Sequence, residues 1–244
     1  MEKVFKESDG IIYNGGAILY AIGAYFIGFI GLFNQNIFVN ILSSILLAHA
    51  MIIAAYLVHE SGHNLVFKKI RFNTYLGELF SWFCGSSYGT FKDMQFKHFR
   101  HHVDVDDVVW FDYEGFFEKN PMIFKLTKIL EWFYIPAHEF IMHFITMFTS
   151  FIIPERRDQR VRNITMILIR WSLFITLSIY FPRVAIFYVF SYILLLTVLR
   201  FMDSIQHDYP YNLTLFSNEK PARQGNYEWE QEHTYSNPHS YNIE

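Results

Sequence analysis

Two short runs of this chain carry residue types from which a metal centre can be built: His59-Glu60-Ser61-Gly62-His63 and His98-Phe99-Arg100-His101-His102. Together they hold five of the eleven histidines. On a helix, side chains three and four positions apart share a face, so His59 pairs with His63, and His98 with His101 and His102. Each run then presents a row of imidazoles, ligands suited to iron, zinc, copper and nickel. Two convergent rows supply more nitrogens than one tetrahedral zinc uses, which favours a two-metal site. Solvated or core histidines are the simpler alternative, and the repeated spacing and charge context speak against it. The acids Asp104, Asp106, Asp107 and Asp112 come next, either to orient metal-bound imidazoles through their second nitrogen or simply to be solvated.

The rest of the chain must position these rows, and its composition points to a bilayer as the solvent. Of 244 residues, 52% are hydrophobic, 20% aromatic and only 18% charged, with a mean hydropathy of +0.15. That is too apolar for an ordinary soluble domain. A net charge of −3 makes no case for nucleic acid,. The single Cys84 excludes an internal disulfide framework and any cysteine-rich zinc or iron–sulfur site,. No small-residue cleavage site follows the first apolar run, which reads as a retained span.

The expected fold is therefore an all-α integral membrane bundle of two hairpins in one domain, residues 1–244. Residues 11–33 and 37–58 are uncharged runs of about 22 residues, each enough to cross about 30 Å of hydrocarbon, joined by the polar Asn34-Gln35-Asn36. His59 then emerges on the side of the N-terminus, and Lys68, Lys69 and Arg71 mark that side as cytoplasmic. Residues 72–91 are aromatic and interrupted by Gly77, Gly85 and Gly89, and read as interfacial or re-entrant. The run 129–153 holds Glu131, Pro136, His138, Glu139 and His143. It is laid in the interface, because crossing would put the basic stretch 156–162 outside. Cytoplasmic and interfacial structure thus occupies about 59–163. A second hairpin follows, 164–181 and 184–202, in which Arg170 must snorkel to the surface or pair with an acid. The tail, about 203–244, reads as cytoplasmic loop.

Where the fourth span returns to the cytoplasm it delivers Asp203 and His207, four apart and so on one helical face. His59 and His207 both stand at cytoplasmic ends of spans and can converge. The candidate metal ligands are thus His59, His63, His98, His101, His102, His207 and Asp203. His49, inside the second span, is expected to be satisfied within the bundle. His138 and His143, five apart, do not share a face and are expected to be structural. His233 and His239 match no ligand pattern.

His59 to His63 also fits H-E-x-x-H, the helix motif of zinc proteases in which Glu60 would be general base. That alternative needs a further zinc ligand and leaves the second histidine run mostly without a role. The two runs in their membrane context resemble instead the histidine boxes of the membrane fatty acid desaturase and hydroxylase superfamily. Residues 200–207 resemble the segment after that family's last span, and 228–237 the approach to its third box. The resemblance covers most of the chain and implies two iron ions, dioxygen chemistry on a lipid acyl chain, and no catalytic residue beyond the metal ligands. It also implies a third box, H-x-x-H-H, that nothing after His207 supplies. A shortened, catalytically silent membrane protein is one expectation on that ground. The activity implied is acyl desaturation, with hydroxylation of a lipid, alkane, sterol or carotenoid as the alternative. No nucleotide-binding glycine fingerprint occurs, so electrons are expected from a separate carrier such as a ferredoxin or cytochrome.

Overall fold

The computed structural model describes residues 4–7, 9–85, 87–104, 107–206 and 212–214, with residues 101–104, 107, 203–206 and 212–214 described by backbone alone. Its first hairpin pairs α1 (Tyr13–Gly31) with α2 (Ile37–Gly62). Asn36 starts α2 by accepting from the Phe38 amide at 2.8 Å, the expected use of asparagine at a helix start,. Fully buried Asn40 closes the turn by donating to the Leu32 carbonyl at 2.9 Å and the Asn34 carbonyl at 3.0 Å. The two helices approach closely at Gly28, where a Cβ would lie 2.9 Å from the Leu47 amide nitrogen.

The second hairpin pairs α8 (Arg160–Tyr180) with α9 (Pro182–Gln206). Pro182 opens α9, where its missing amide costs nothing,. Four helical stretches are long and apolar enough to cross a membrane: Tyr13–Gly31, Ile37–Gly62, Pro154–Tyr180 and Pro182–Met202. In α8, large apolar residues such as Leu168, Leu173 and Ile179 lie exposed, as a lipid-facing helix requires,.

Both hairpins point the same way. The Phe33 ring, in the first turn, packs edge-on against Phe181 in the second at 5.1 Å. The Ser44 hydroxyl of α2 donates to the Phe187 carbonyl of α9 at 3.4 Å. The two helices therefore run parallel, and fifteen residues on from each contact brings His59 and Met202 to about the same level, roughly 22 Å along. The N-terminal segment lies at that far end too, with Phe5 bridged to Phe67.

Between the hairpins lie α3 (Ile70–Phe83), α4 (Phe91–Asp104), α5 (Tyr113–Lys119), α6 (Pro121–Trp132) and α7 (Ala137–Ile152), then a 3₁₀ turn, Pro154–Gln159. None reaches the length of a span. The 129–153 run is broken at Tyr134, whose φ is 59°, and at Pro136. One feature escaped the all-α expectation: β1 (Asp107–Val109) pairs in parallel with β2 (Asn212–Thr214), a three-residue ladder that includes part of the tail read as loop.

Helix ends also differ from the expected spans. α2 continues through His59 to Gly62, and α8 starts at Arg160 rather than 164. Leaving the hydrocarbon does not end a helix, because only backbone caps and breakers do that.

Candidate metal centre

Because α2 stays helical to Gly62, His59 and His63 sit one turn apart on the same face,. α4 crosses this end and adds His98. The three rings lie with centroids 5.0 Å (His59 to His63), 4.4 Å (His59 to His98) and 4.5 Å (His63 to His98) apart. One ligand nitrogen from each falls within 4.8 Å of the others, and all three side chains are half-buried.

The donor chemistry fits a transition-metal ion. The Nε2 atoms of His63 and His98 stand 2.5 Å apart, so only one proton fits between them and at least one ring presents a lone pair. The Nδ1 of His59 lies 3.3 Å from Oε1 of Glu60, a carboxylate able to set that ring's tautomer,.

A framework that sequence reasoning missed holds α4 in place. The Gln95 amide donates to the Gly62 carbonyl at 2.6 Å, one turn before His98 and next to His63. Thr90 and Asp93 form a reciprocal cap at the start of α4: the Asp93 amide donates to the Thr90 hydroxyl at 3.0 Å, and the Thr90 amide to the Asp93 carboxylate at 3.4 Å,. The T-x-x-D spacing was the available signal. Glu78 accepts from the Phe91 amide at 3.1 Å. Asp93 also faces Arg156 at 3.7 Å. Arg156 is fully buried, lies over the Trp110 ring at 4.5 Å, and donates to Thr149, to Gln159 at 3.1 Å and to the Tyr88 carbonyl at 3.4 Å.

The other expected site residues divide. His101 and His102 belong to α4, and Asp203 to α9, all described by backbone alone; His207 lies outside the described residues. The parallel pairing of α2 with α9 brings the backbone at Asp203 level with that at Glu60. Asp112 instead caps α5, accepting from the Gly115 amide at 2.8 Å. His49 hydrogen-bonds through Nδ1 with the Tyr20 hydroxyl at 2.6 Å, so the neighbouring helix satisfies it, but both side chains are exposed on the outer surface of the hairpin rather than enclosed within the bundle. Among the described residues Arg170 pairs with no acid: it donates to the Trp82 carbonyl at 2.7 Å, at the negative end of α3, and lies over the Trp82 ring at 4.8 Å,. Within the aromatic stretch 72–91, Phe80 and Phe91 are core.

A cavity of about 800 Å³ opens on the other flank of α4, reached by Met94 and Lys97 and walled by the 85–89 loop, β1, α5, α6, α7 and Arg200. Here His138 and His143, expected on different faces, both line one space, because α7 borders it broadly. Arg200 donates to Glu139 at 3.1 Å, to Glu131 at 3.3 Å and to Nδ1 of His138 at 3.2 Å. Burial acts to raise the Glu139 pKa, but His138, His143 and Arg200 outweigh it and hold the carboxyl down at about 2. Burial lowers the His143 pKa, keeping that ring neutral, with its Nδ1 2.8 Å from the Tyr192 hydroxyl.

Comparison with known proteins agrees with this arrangement. The family model for fatty acid desaturases matches residues 35–243, from just before α2 onward. No curated protein matches the chain, and no solved structure does. A membrane-type helical bundle that gathers histidines from two separated runs, matched over most of its length by one family, belongs to the fatty acid desaturase family.

Proposed function

We propose that this protein is an iron-dependent membrane desaturase acting on lipid acyl chains. The observation that carries the proposal is the convergence of His59, His63 and His98 at the end of two parallel hairpins in a chain of this family. His59, His63 and His98 would hold iron, with His101, His102, His207 and Asp203 as the further ligands of a two-iron site. When bound, the iron supplies dioxygen activation strong enough to break an unactivated C–H bond, with two electrons from a separate carrier. The chain's own part is to hold neutral imidazoles in register through Gln95 and Glu60, and to bring an apolar chain from the bilayer to this end of the bundle. By the positive-inside rule Lys68, Lys69 and Arg71 favour a cytoplasmic location for that end, where a ferredoxin or cytochrome would dock.

The trio beside Glu60 would also satisfy the ligand requirement of the H-E-x-x-H protease alternative, and the family match is what favours the oxygenase. Purified protein should take up iron, with the uptake lost in His63→Ala, and cells expressing the chain should accumulate unsaturated acyl chains. A hydroxylated product would make it a hydroxylase of the same family. Zinc in place of iron, with no oxidised lipid, would overturn the proposal.

A further inference from the structure

The α6 helix and the turn after it present an apolar surface away from the metal centre. Trp132, Phe133 and Tyr134 are 81%, 68% and 82% exposed, and Met122, Leu126 and Ile129 are exposed beside them. Two contacts with α9 set the depth of this surface. The Thr197 hydroxyl reaches the Tyr134 carbonyl at 3.2 Å, and Arg200 pairs with Glu131 at 3.3 Å. Thr197 stands five residues inside the end of the apolar stretch Pro182–Met202, about 7.5 Å at the rise of an α-helix,. The exposed aromatics therefore meet the boundary between hydrocarbon and headgroups, where tryptophan and tyrosine concentrate in membrane proteins.

Charge on the same face selects what covers it. Positions 125, 128, 129 and 132 lie three and four apart, so Lys125 and Lys128 share a face with Ile129 and Trp132. With Phe133 these four line a shallow depression of about 280 Å³, while α6 packs inward through buried Thr127. Both lysines are exposed, and neither has an acidic partner among the described residues. Glu131, the nearest acid along the helix, is held by Arg200. Lys128 extends over the Phe124 ring, 4.9 Å from its centroid. Along the helix the lysines stand about 6 and 10 Å from Trp132. A headgroup layer is about 5–8 Å thick, so they reach phosphates while Trp132 stays at the boundary. A neutral apolar partner would desolvate two uncompensated cations, and a second copy of this face would bring four together. An anion joined to hydrocarbon satisfies both halves of the surface, and the compact charge of lysine suits a phosphate.

We infer that α6 and the turn 132–135 form a docking site for an anionic phospholipid, with Lys125 and Lys128 on its phosphate and Ile129 and Trp132 against its glycerol end and upper acyl chain. This lipid is not the reacting chain, and the site stands whatever reaction the metal centre performs. Bound there, it ties α6, and through Glu131 and Arg200 the end of α9, to the membrane surface.

The test is quenching of Trp132 fluorescence in the full chain reconstituted into phosphatidylcholine vesicles. Phosphatidylglycerol or phosphatidylcholine, brominated near the top of the acyl chain, is introduced in increasing fraction. Subtracting the signal of Trp132→Phe leaves the part due to Trp132. Brominated phosphatidylglycerol should quench with an apparent affinity about five- to thirtyfold above that of brominated phosphatidylcholine, about fivefold for each lysine. The margin should shrink in about 0.5 M salt, because both lysines are exposed,. Lys125→Gln combined with Lys128→Gln should bring the two lipids level while both still quench, and each single variant should lose part of the margin. Helical circular dichroism reports that each variant is folded. Equal quenching by the two lipids in the unsubstituted protein would overturn the inference, as would a phosphatidylglycerol preference that survives in the folded double variant. Absence of quenching by either lipid would overturn it too, and would make α6 a surface for a protein partner outside the bilayer.

Discussion

Replacing Gln95 by methionine keeps the side-chain volume and removes the 2.6 Å bond to the Gly62 carbonyl. That bond links α4 to α2 between His98 and His63 without touching either ring. A half-buried amide-to-carbonyl bond contributes about 0.5–1.5 kcal/mol net. If that energy favours the arrangement in which the three imidazoles converge, its loss lowers the population of the competent arrangement, and apparent metal affinity falls in proportion. At about 1.4 kcal/mol per decade, the expected weakening is about two- to twelvefold. Cobalt serves as the probe, since its visible absorption reports coordination by nitrogen directly. Titration of the metal-free protein in nanodiscs should show weaker binding in Gln95→Met with the same final spectrum. In His98→Ala the spectrum itself should change, because a ligand is gone. An unchanged cobalt affinity in Gln95→Met would refute the view that this bond holds the trio in register.

The loop before α4 should tolerate no side chain at Gly85, whose φ of 85° is compounded by Tyr192 in the path of a Cβ; Gly85→Ala is expected to cost about 1–3 kcal/mol, read as a lowered thermal midpoint in detergent. Arg156→Met removes the fully buried cation that faces Asp93, while Asp93 keeps the Gln159 amide at 2.6 Å and the Thr90 amide, for a loss of about 1–3 kcal/mol by the same measurement,. Acid should weaken the fold in two stages. His143 has a lowered folded pKa, so its contribution is full above its ordinary 6.5 and declines as pH falls below that,. Glu139, held at about 2, contributes fully above 4.5 and loses that contribution between 4.5 and about 2,. Glu139→Gln should therefore flatten the thermal midpoint between pH 4.5 and pH 2. His49→Phe should leave cobalt binding unchanged, since His49 is engaged by Tyr20 on the surface of the first hairpin, ten residues along α2 from His59.

The spans were legible because uncharged runs and the Asn36 cap are local signals, and the pairing of His59 with His63 follows from helical spacing alone. That His98 would join them depends on how α4 crosses α2, which no local pattern encodes. Arg156 illustrates the same limit: its partners Asp93 and Trp110 lie 63 and 46 positions upstream, so its basic stretch read only as an orientation signal. The Trp82 contacts of Arg170 were not legible, because the rules for charges in membranes look for acids and surfaces, while a helix C-terminus and an aromatic ring also stabilise a guanidinium,. The cavity left no trace in the sequence, since its wall is assembled from segments between Gly85 and Arg200.

The order of these elements along the chain bears on how the protein is made. All three converging histidines have been synthesised by residue 98, whereas Arg200, which completes the cavity wall, comes 102 residues later. At about 5–20 residues per second that interval is roughly 5–20 s. During it the first hairpin and α4 can be in place while the second hairpin is still entering the translocon. Convergence of the histidine trio and closure of the cavity are thus separable events in biogenesis, and a nascent chain stalled before α8 is the form in which the first can be followed without the second.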